Sequence, residues 1–237
     1  MFFNREVFGY SLQEQLNFEH NLRKSIVEVA LNLSKSRLVF ETFRDSWCNE
    51  VYWKRTAEGG FLLKNGVRPS MAIKDIFING PKYGTECATA IVIIYYGALL
   101  NIFPEELFNR VFSKIYLMDW QNLDANLGIT TIRDVVNYLP GDCRYFKNPD
   151  VDQNTPEWQG ENVIDLGNGT YYGHGLGIRT AEGFIEALNR HRKEGAQISA
   201  FLTYSANRLN FKHLGNIYYN FAASSQVQNH RTAWGIL

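Results

Sequence analysis

The segment 80–100 reads GPKYGTECATAIVIIYYGALL, and the rest of the chain is organised around it. Two glycines and a proline ahead of the cysteine are turn formers, and Thr85 can cap a helix. After Cys87 the segment is apolar or aromatic except for Thr89. We therefore expect a helix that begins at Cys87. Because no polar stripe runs along it, this helix should be surrounded by protein on all sides.

A thiol in the first turn of such a helix would lie where the buried core meets a cleft. Unpaired backbone N–H groups and the helix dipole favour a thiolate there, so Cys87 is a candidate nucleophile. The neighbouring carboxylate of Glu86 disfavours a second negative charge. Inert buried cysteines are also common. From this segment alone, a nucleophile and a core cysteine both remain open.

The totals exclude several classes of protein. The chain has 237 residues and a mass of 27.3 kDa, which fits a single domain over 1–237 with no repeat or long linker. Lys and Arg number 24 and so do Asp and Glu, so the net charge attracts neither nucleic acid nor an anionic membrane. The most apolar run, 88–100, is shorter than the roughly 20 residues that span a bilayer. We expect no nucleic-acid or membrane partner.

Three widely spaced cysteines, Cys48, Cys87 and Cys143, form neither a zinc motif nor a disulfide framework. They indicate folding in a reducing compartment, and we take Cys143 as a core residue. The first residues, MFFNREVF, carry charges where a signal peptide needs an apolar run. No export signal of that kind is expected.

Local patterns predict a mixed α and β chain. A capping box of Ser11 and Glu14 opens a helical amino-terminal scaffold over 1–36. Helix caps and helix-breaking residues predict further helices over 70–78, where Ser70 is the cap, 104–110 and 180–193. Strands are predicted over 51–53, 61–63, 114–120, 142–147, 162–166, 170–174 and 198–204. We expect a long loop or a short helix over 121–137 and a loosely held tail over 222–237.

The strongest hairpin signal lies at 162–174, with Gly-Asn-Gly at its tip. A two-residue loop would place Val163 opposite His174, with Glu161 on the same face as the histidine. A three-residue loop would put Glu161 and His174 on opposite faces. Glycines surround His174 at positions 173, 175 and 177, which suggests close approach of backbone or substrate. A structural histidine on a bulged edge is the alternative.

A cysteine at a helix start, followed by a glutamate and a histidine on a hairpin, is typical of a thiol acyltransferase or peptidase. Backbone N–H groups at the helix start could stabilise an oxyanion. The order Cys, then His on a strand, matches the papain-like arrangement.

Several segments together carry a longer similarity: GP at 80–81 with ECATAIVIIYY at 86–96, GDC at 141–143, YFKNP at 145–149, Trp158, GENVI at 160–164, and HGLGI at 174–178. In this order they resemble the spore-coat transglutaminases of Bacillus-type bacteria. The resemblance covers about 35–203. The amino-terminal portion, 121–140 and the part beyond about 209 match poorly.

The resemblance implies an α+β fold with a papain-like (NlpC/P60-like) core, in which the buried helix carrying the nucleophile packs on an antiparallel sheet. It implies that Cys87 is the nucleophile, Glu161 its principal carboxylate partner and His174 the histidine of the site. Glu86 matches a second glutamate that can partly replace the first.

Three aromatic residues, Phe40, Trp120 and Trp158, match positions associated with a tunnel that holds the thiol. Clustering of Phe40 with nearby aromatic residues by itself favours core packing, so the resemblance changes that interpretation. An apolar tunnel would admit the alkylamine of lysine while limiting hydrolysis.

The implied activity is that of a calcium-independent protein-glutamine γ-glutamyltransferase with no metal or cofactor. Its partners would be coat proteins bearing glutamine and lysine, and we expect a monomer, made in the mother cell and then held in the spore coat. A papain-like peptidase or amidase, and an inactive structural coat protein, are the alternatives.

Overall fold

The computed structural model describes residues 11–119 and 123–234, with side chains described as far as 225. Its α-helices are α1 (Leu12–Leu33), α2 (Pro69–Ile78), α3 (Cys87–Ile102), α4 (Glu105–Val111), α5 (Ala181–Asn189) and α6 (Phe211–Trp234). Its strands are β1 (Val39–Phe40), β2 (Trp53–Arg55), β3 (Phe61–Leu63), β4 (Gly84–Thr85), β5 (Tyr116–Leu117), β6 (Thr130–Ile132), β7 (Cys143–Lys147), β8 (Gly160–Asp165), β9 (Thr170–Gly173), β10 (Gly177–Thr180), β11 (Phe201–Leu202) and β12 (Ala206–Arg208).

The central helix α3 begins at Cys87, as predicted, and every residue from there to Leu99 is buried. It packs against α1, α2 and β8. The prediction that Thr85 caps the helix is wrong. Thr85 lies in β4, which pairs in parallel with β1, and the cap is Glu86, whose carboxylate accepts the Thr89 N–H at 2.9 Å. Strand pairing ahead of the helix therefore moves the cap by one residue.

Helix α1 supports α3 from one side. Its capping box is present: the hydroxyl of Ser11 accepts the Glu14 N–H, and the Glu14 carboxylate accepts the Ser11 N–H. The apolar face of the helix is buried in the main core through residues such as Leu22 and Ile26. Of the predicted scaffold over 1–36, the helix covers Leu12–Leu33, and 34–36 form a turn.

Helix α6 follows the last predicted strand and was not predicted. It packs on α1, where Phe18 lies 5.7 Å from the ring of Tyr218. Its sequence is mixed apolar and polar, so its packing partner, α1, stabilises a helix that periodicity alone does not indicate. The backbone is helical as far as Trp234, and a loosely held tail over 222–237 stays a prediction.

The main sheet has the order β10-β9-β8-β7-β12-β6, with β11 also paired to β7, and its pairings are antiparallel. One face packs on α3, and the other packs on α5 through Phe146, Val163 and Phe184. The antiparallel sheet and the buried core residue Cys143 are confirmed. The loop or short helix expected over 121–137 is wrong at β6, an exposed edge strand whose pairing with β12 is distant in sequence.

A smaller sheet, β2-β3-β5, contains the predicted hairpin of 51–53 and 61–63. The prediction that Ser70 caps α2 is wrong, because Pro69 already occupies the first turn and the Ser70 N–H donates to the side chain of Asn109. No helix of the described residues is both long and apolar enough to cross a membrane.

The hairpin of β8 and β9 has a three-residue loop. Val163 lies opposite Gly173, and the Leu166 N–H donates to the carbonyl of Thr170. Positive φ occurs at Gly167 (80°) and Gly169 (81°) but not at Asn168, whereas a two-residue Asn-Gly loop needs it at both 168 and 169, so the loop begins one residue earlier, at Gly167. The predicted pairing of Val163 with His174 is therefore wrong.

Candidate active site

Cys87 lies at the start of α3 and is 8% exposed. Its sulfur lies 3.5 Å from Oε2 of Glu86 and accepts a hydrogen bond from Nδ2 of Asn162 at 3.3 Å. The three residues line one cavity of about 400 Å³, together with Phe40 and Tyr145. The thiol is thus buried in protein on one side and faces a space large enough for a side chain of a substrate.

The surroundings of Cys87 oppose a free thiolate. Burial raises its pKa well above the ordinary value, and the charges of Glu161 and Glu86 raise it further. The main-chain N–H and the side-chain amide of Asn162 act in the opposite direction. At neutral pH the sulfur carries its proton, so attack on a carbonyl requires a base close by.

Glu86 has two functions in the first turn of α3. Oε1 accepts the Thr89 N–H and caps the helix, while Oε2 accepts the hydrogen bond of the Cys87 thiol. Burial raises its pKa, and the N–H groups of Ala88 and Thr89 oppose that shift by stabilising the carboxylate. Its cap role holds the carboxylate beside the sulfur.

Glu161 is 1% exposed on β8, and its Oε1 accepts the Gly175 N–H at 3.2 Å. Burial raises its pKa to about 8, the Gly175 N–H lowers it, and the charge of Glu86 raises it. At neutral pH Glu161 therefore keeps its proton in most molecules, and only its ionised form can accept one; that ionised form is a stronger base than an exposed glutamate.

The glycines on either side of His174 are required by this packing. A Cβ atom at Gly173 would lie 2.8 Å from Cγ and Oε1 of Glu161, and one at Gly175 would lie 3.0 Å from the ring of Phe40. Close approach thus occurs at two of the three glycines around His174, but side chains make it, not the predicted backbone or substrate, and nothing lies within 4 Å of a Cβ at Gly177. Glu161 fits only because the neighbouring strand carries no side chain there.

His174 is buried, but its ring nitrogens contact neither Cys87 nor Glu161. Nε2 lies 3.0 Å from the carbonyl oxygen of Val39, and Nδ1 lies 3.3 Å from the hydroxyl of Tyr172. Burial lowers the pKa of the imidazole to about 4, so it is neutral. A carbonyl only accepts, so Nε2 carries the hydrogen and Nδ1 accepts from Tyr172. His174 thereby joins the hairpin to β1, the strand that pairs with β4 just before the nucleophile.

Of the three aromatic residues predicted to form a tunnel, one lines the cavity and one packs behind it. Phe40 lines the cavity beside Cys87. Trp158 stacks on Phe40 with ring centroids 5.3 Å apart and on His191 at 4.6 Å, so it supports the aromatic wall from behind. Trp120 lies outside the described residues.

Comparison with known proteins bears on this geometry. The family model described as protein-glutamine gamma-glutamyltransferase matches residues 1–218. This chain belongs to that family. Such enzymes are transglutaminases, and the buried cysteine with its two glutamates lies inside the matched region.

Individual transglutaminases are similar over most of the chain. A protein-glutamine gamma-glutamyltransferase of Bacillus cereus (strain B4264) is 47% identical over 225 residues, covering 95% of this chain and 79% of the relative. One from Bacillus anthracis (strain CDC 684 / NRRL 3495) is 49% identical over 206 residues, covering 87% and 74%. The solved transglutaminase from Geobacillus stearothermophilus, without its C-terminal extension, superposes with a TM-score of 0.84 at 49% identity, covering 88% of this chain and 99% of that one.

Sequence reasoning about this transglutaminase assigned no role to Asn162 or Tyr145. Both lie on the α3 face of the sheet and line the cavity, whereas Glu161, the next residue along β8, lies on the α5 face with Phe146 and Val163. The missing information was which face of β8 packs on α3, because that decides which of two adjacent polar residues faces the sulfur. Among residues 11–119 and 123–234, no group of three or more His, Cys, Asp or Glu side chains is arranged to hold a metal ion.

Proposed function

We propose that this transglutaminase joins a glutamine of one protein to a lysine of another through a thioester on Cys87. The observation that carries the proposal is the contact of a buried thiol with one carboxylate, and its electrostatic coupling to a second, at the edge of a cavity. A thiol with a proton acceptor beside it is the minimum that covalent acyl transfer requires.

In the first half-reaction, the Cys87 sulfur attacks the γ-carboxamide carbon and its proton passes to a carboxylate. A C–S bond forms, the C–N bond of the amide breaks, and the proton leaves with ammonia. In the second, the neutral lysine amine attacks the thioester carbon, a C–N bond forms, the C–S bond breaks, and a proton from the amine returns to the sulfur. Each half-reaction thus needs one group that takes and returns a proton.

The two glutamates contribute unequally to these proton transfers. Glu86 is the direct hydrogen-bond acceptor of the thiol, but the Thr89 N–H stabilises its charged form. Glu161 in its ionised form binds a proton strongly, because burial raises its pKa to about 8. We assign the principal role to Glu161 and the substitute role to Glu86. His174 is placed as a positioning residue that fixes β1 against the hairpin.

The aromatic wall formed by Phe40 and supported by Trp158 favours aminolysis over hydrolysis. Transfer of the alkyl chain of lysine from water to an apolar wall is favourable, whereas a water molecule there loses hydrogen bonds without replacing them. The same thioester delivered to water would make the protein an amidase, so the shape of this cavity decides between the two outcomes.

The test is incorporation of a fluorescent primary amine into a glutamine-containing protein. We expect label without new peptide termini, no label with Cys87→Ala, and unchanged labelling in a chelator, since the proposed chemistry needs no calcium. Cys143→Ala, at a cysteine buried away from the cavity, is the matched control and should keep its activity. New peptide termini would establish a peptidase instead, and labelling by Cys87→Ala would refute the assigned nucleophile.

We also place the enzyme in the mother cell and then in the spore coat, as a monomer acting on coat proteins. The support is the resemblance of its active-site segments to coat transglutaminases and the Bacillus origin of its relatives. A fluorescent fusion that never accumulates at the surface of the forming spore during sporulation would refute this placement.

A further inference from the structure

The contact between Asn162 and the sulfur of Cys87 is not explained by the proton transfers assigned to the two glutamates. Asn162 is 8% exposed, lies on β8 opposite Tyr145, and lines the same cavity as Cys87. Its Nδ2 is a neutral donor 3.3 Å from the sulfur. It can neither take nor give up a proton during the reaction.

A hydrogen bond to sulfur distinguishes the charged from the neutral form. A thiol is a weak acceptor, whereas a thiolate accepts strongly, so an N–H directed at the sulfur stabilises mainly the anion. Burial and the charges of Glu161 and Glu86 act against the anion, whereas the main-chain N–H and the side-chain amide of Asn162 favour it. Without a fixed donor, the proton of the thiol would be very costly to remove.

We propose that Asn162 is a catalytic residue that stabilises the Cys87 thiolate when it forms before the first attack and when it is released from the thioester. This deepens the proposed function and depends on Cys87 being the nucleophile. The strand supplies the rigidity, because β8 is paired with β7 through this position and the donor is held in place before substrate arrives.

The alternation of side chains along β8 explains why Asn162 and Glu161 are adjacent in sequence but different in function. Asn162 shares the α3 face with Ile164 and reaches the sulfur directly. The Glu161 carboxylate is held by the Gly175 N–H, and its charge acts on the sulfur. Two neighbouring residues thus supply a neutral donor that contacts the sulfur and a carboxylate whose charge acts on it.

The test measures thiolate formation without using the transfer reaction. The rate at which iodoacetamide modifies Cys87 is followed as a function of pH, by mass spectrometry of the peptide that contains Cys87, so that Cys48 does not contribute. Asn162→Leu removes both amide hydrogens at similar size. We expect slower modification at neutral pH by about ten- to a hundredfold, the factor that a hydrogen bond to a charged group is worth, and a pH profile displaced to higher pH.

Asn162→Asp separates the donor from simple packing. It keeps the shape of asparagine but adds a third carboxylate beside the sulfur, so the profile should be displaced further than in Asn162→Leu. The matched control is Asn207→Leu, because the Asn207 side chain bonds the thiol of Cys143 in the core. That variant should lose stability but keep the wild-type profile at Cys87.

An unchanged profile in Asn162→Leu that is folded by circular dichroism would overturn the proposal, as would an Asn162→Asp profile displaced less than that of the leucine variant. Measurements on the wild-type protein also distinguish failure of this proposal from failure of the proposed transfer function. Modification of Cys87 that depends on Asn162, with no amine incorporation, would support the thiolate role and refute the proposed function.

Discussion

Replacing Glu161 by glutamine should stabilise the enzyme at alkaline pH while removing most of its activity. The carboxyl group is 1% exposed, and burial holds its pKa at about 8 against an ordinary 4.5. Glutamine has the same shape and can still accept the Gly175 N–H, but it never ionises. The substitution therefore removes a buried charge that the folded protein must otherwise accommodate above its pKa.

The magnitude follows from the two pKa values. Between pH 4.5 and 8 the folded protein retains a proton on Glu161 that the unfolded chain has lost, so the stability of the wild type falls as pH rises and the loss is complete above about pH 8. At about 1.4 kcal/mol per pH unit, that interval corresponds to a loss on the order of 5 kcal/mol. The glutamine variant does not incur this loss.

The assay is denaturant unfolding of the wild type and Glu161→Gln from about pH 5 to about pH 9. The difference in free energy of unfolding should be small at the acidic end and should grow in favour of glutamine with rising pH. Glu186→Gln, at an exposed residue of α5 paired with Arg190, is the control and should show no such trend. A difference between wild type and Glu161→Gln that stays constant over this range would refute the burial argument.

Three further outcomes are expected. Glu161→Ala should lower amine incorporation on the order of 10²- to 10⁴-fold, the usual value of a general base, and adding Glu86→Gln should remove the remainder, whereas full activity of the single variant would contradict the assignment. Phe40→Ala, which removes the aromatic wall beside Cys87, should raise the ratio of glutamine hydrolysis to amine incorporation; an unchanged ratio of ammonia released to amine bound would show that the wall does not exclude water. Asp142→Asn should lower the free energy of unfolding on the order of 3–5 kcal/mol, because the fully buried Asp142 bonds two arginines at 2.7–2.8 Å, and a loss below about 1 kcal/mol by denaturant unfolding would contradict that role.

The β8–β9 hairpin follows the local sequence in its position but not in its register. The turn residues at 167–169 predicted a hairpin there, and the hairpin exists. The predicted register was wrong by one residue, because positive φ falls at Gly167 and Gly169 and not at Asn168, so the loop has three residues. That single step exchanges the faces of every side chain that follows the loop, so Gly173 and not His174 lies opposite Val163.

The sequence by itself determined the buried helix, its start at Cys87 and the hairpin that carries Glu161, since capping, turn chemistry and apolar runs act over a few residues. Tertiary structure decided the edge strand β6, the packing of α6 on α1, the neutral state and the direction of the His174 ring, and the raised pKa of Glu161. Each of these depends on groups that are distant along the chain. Pairing and burial between such groups act through space, and no local pattern records them.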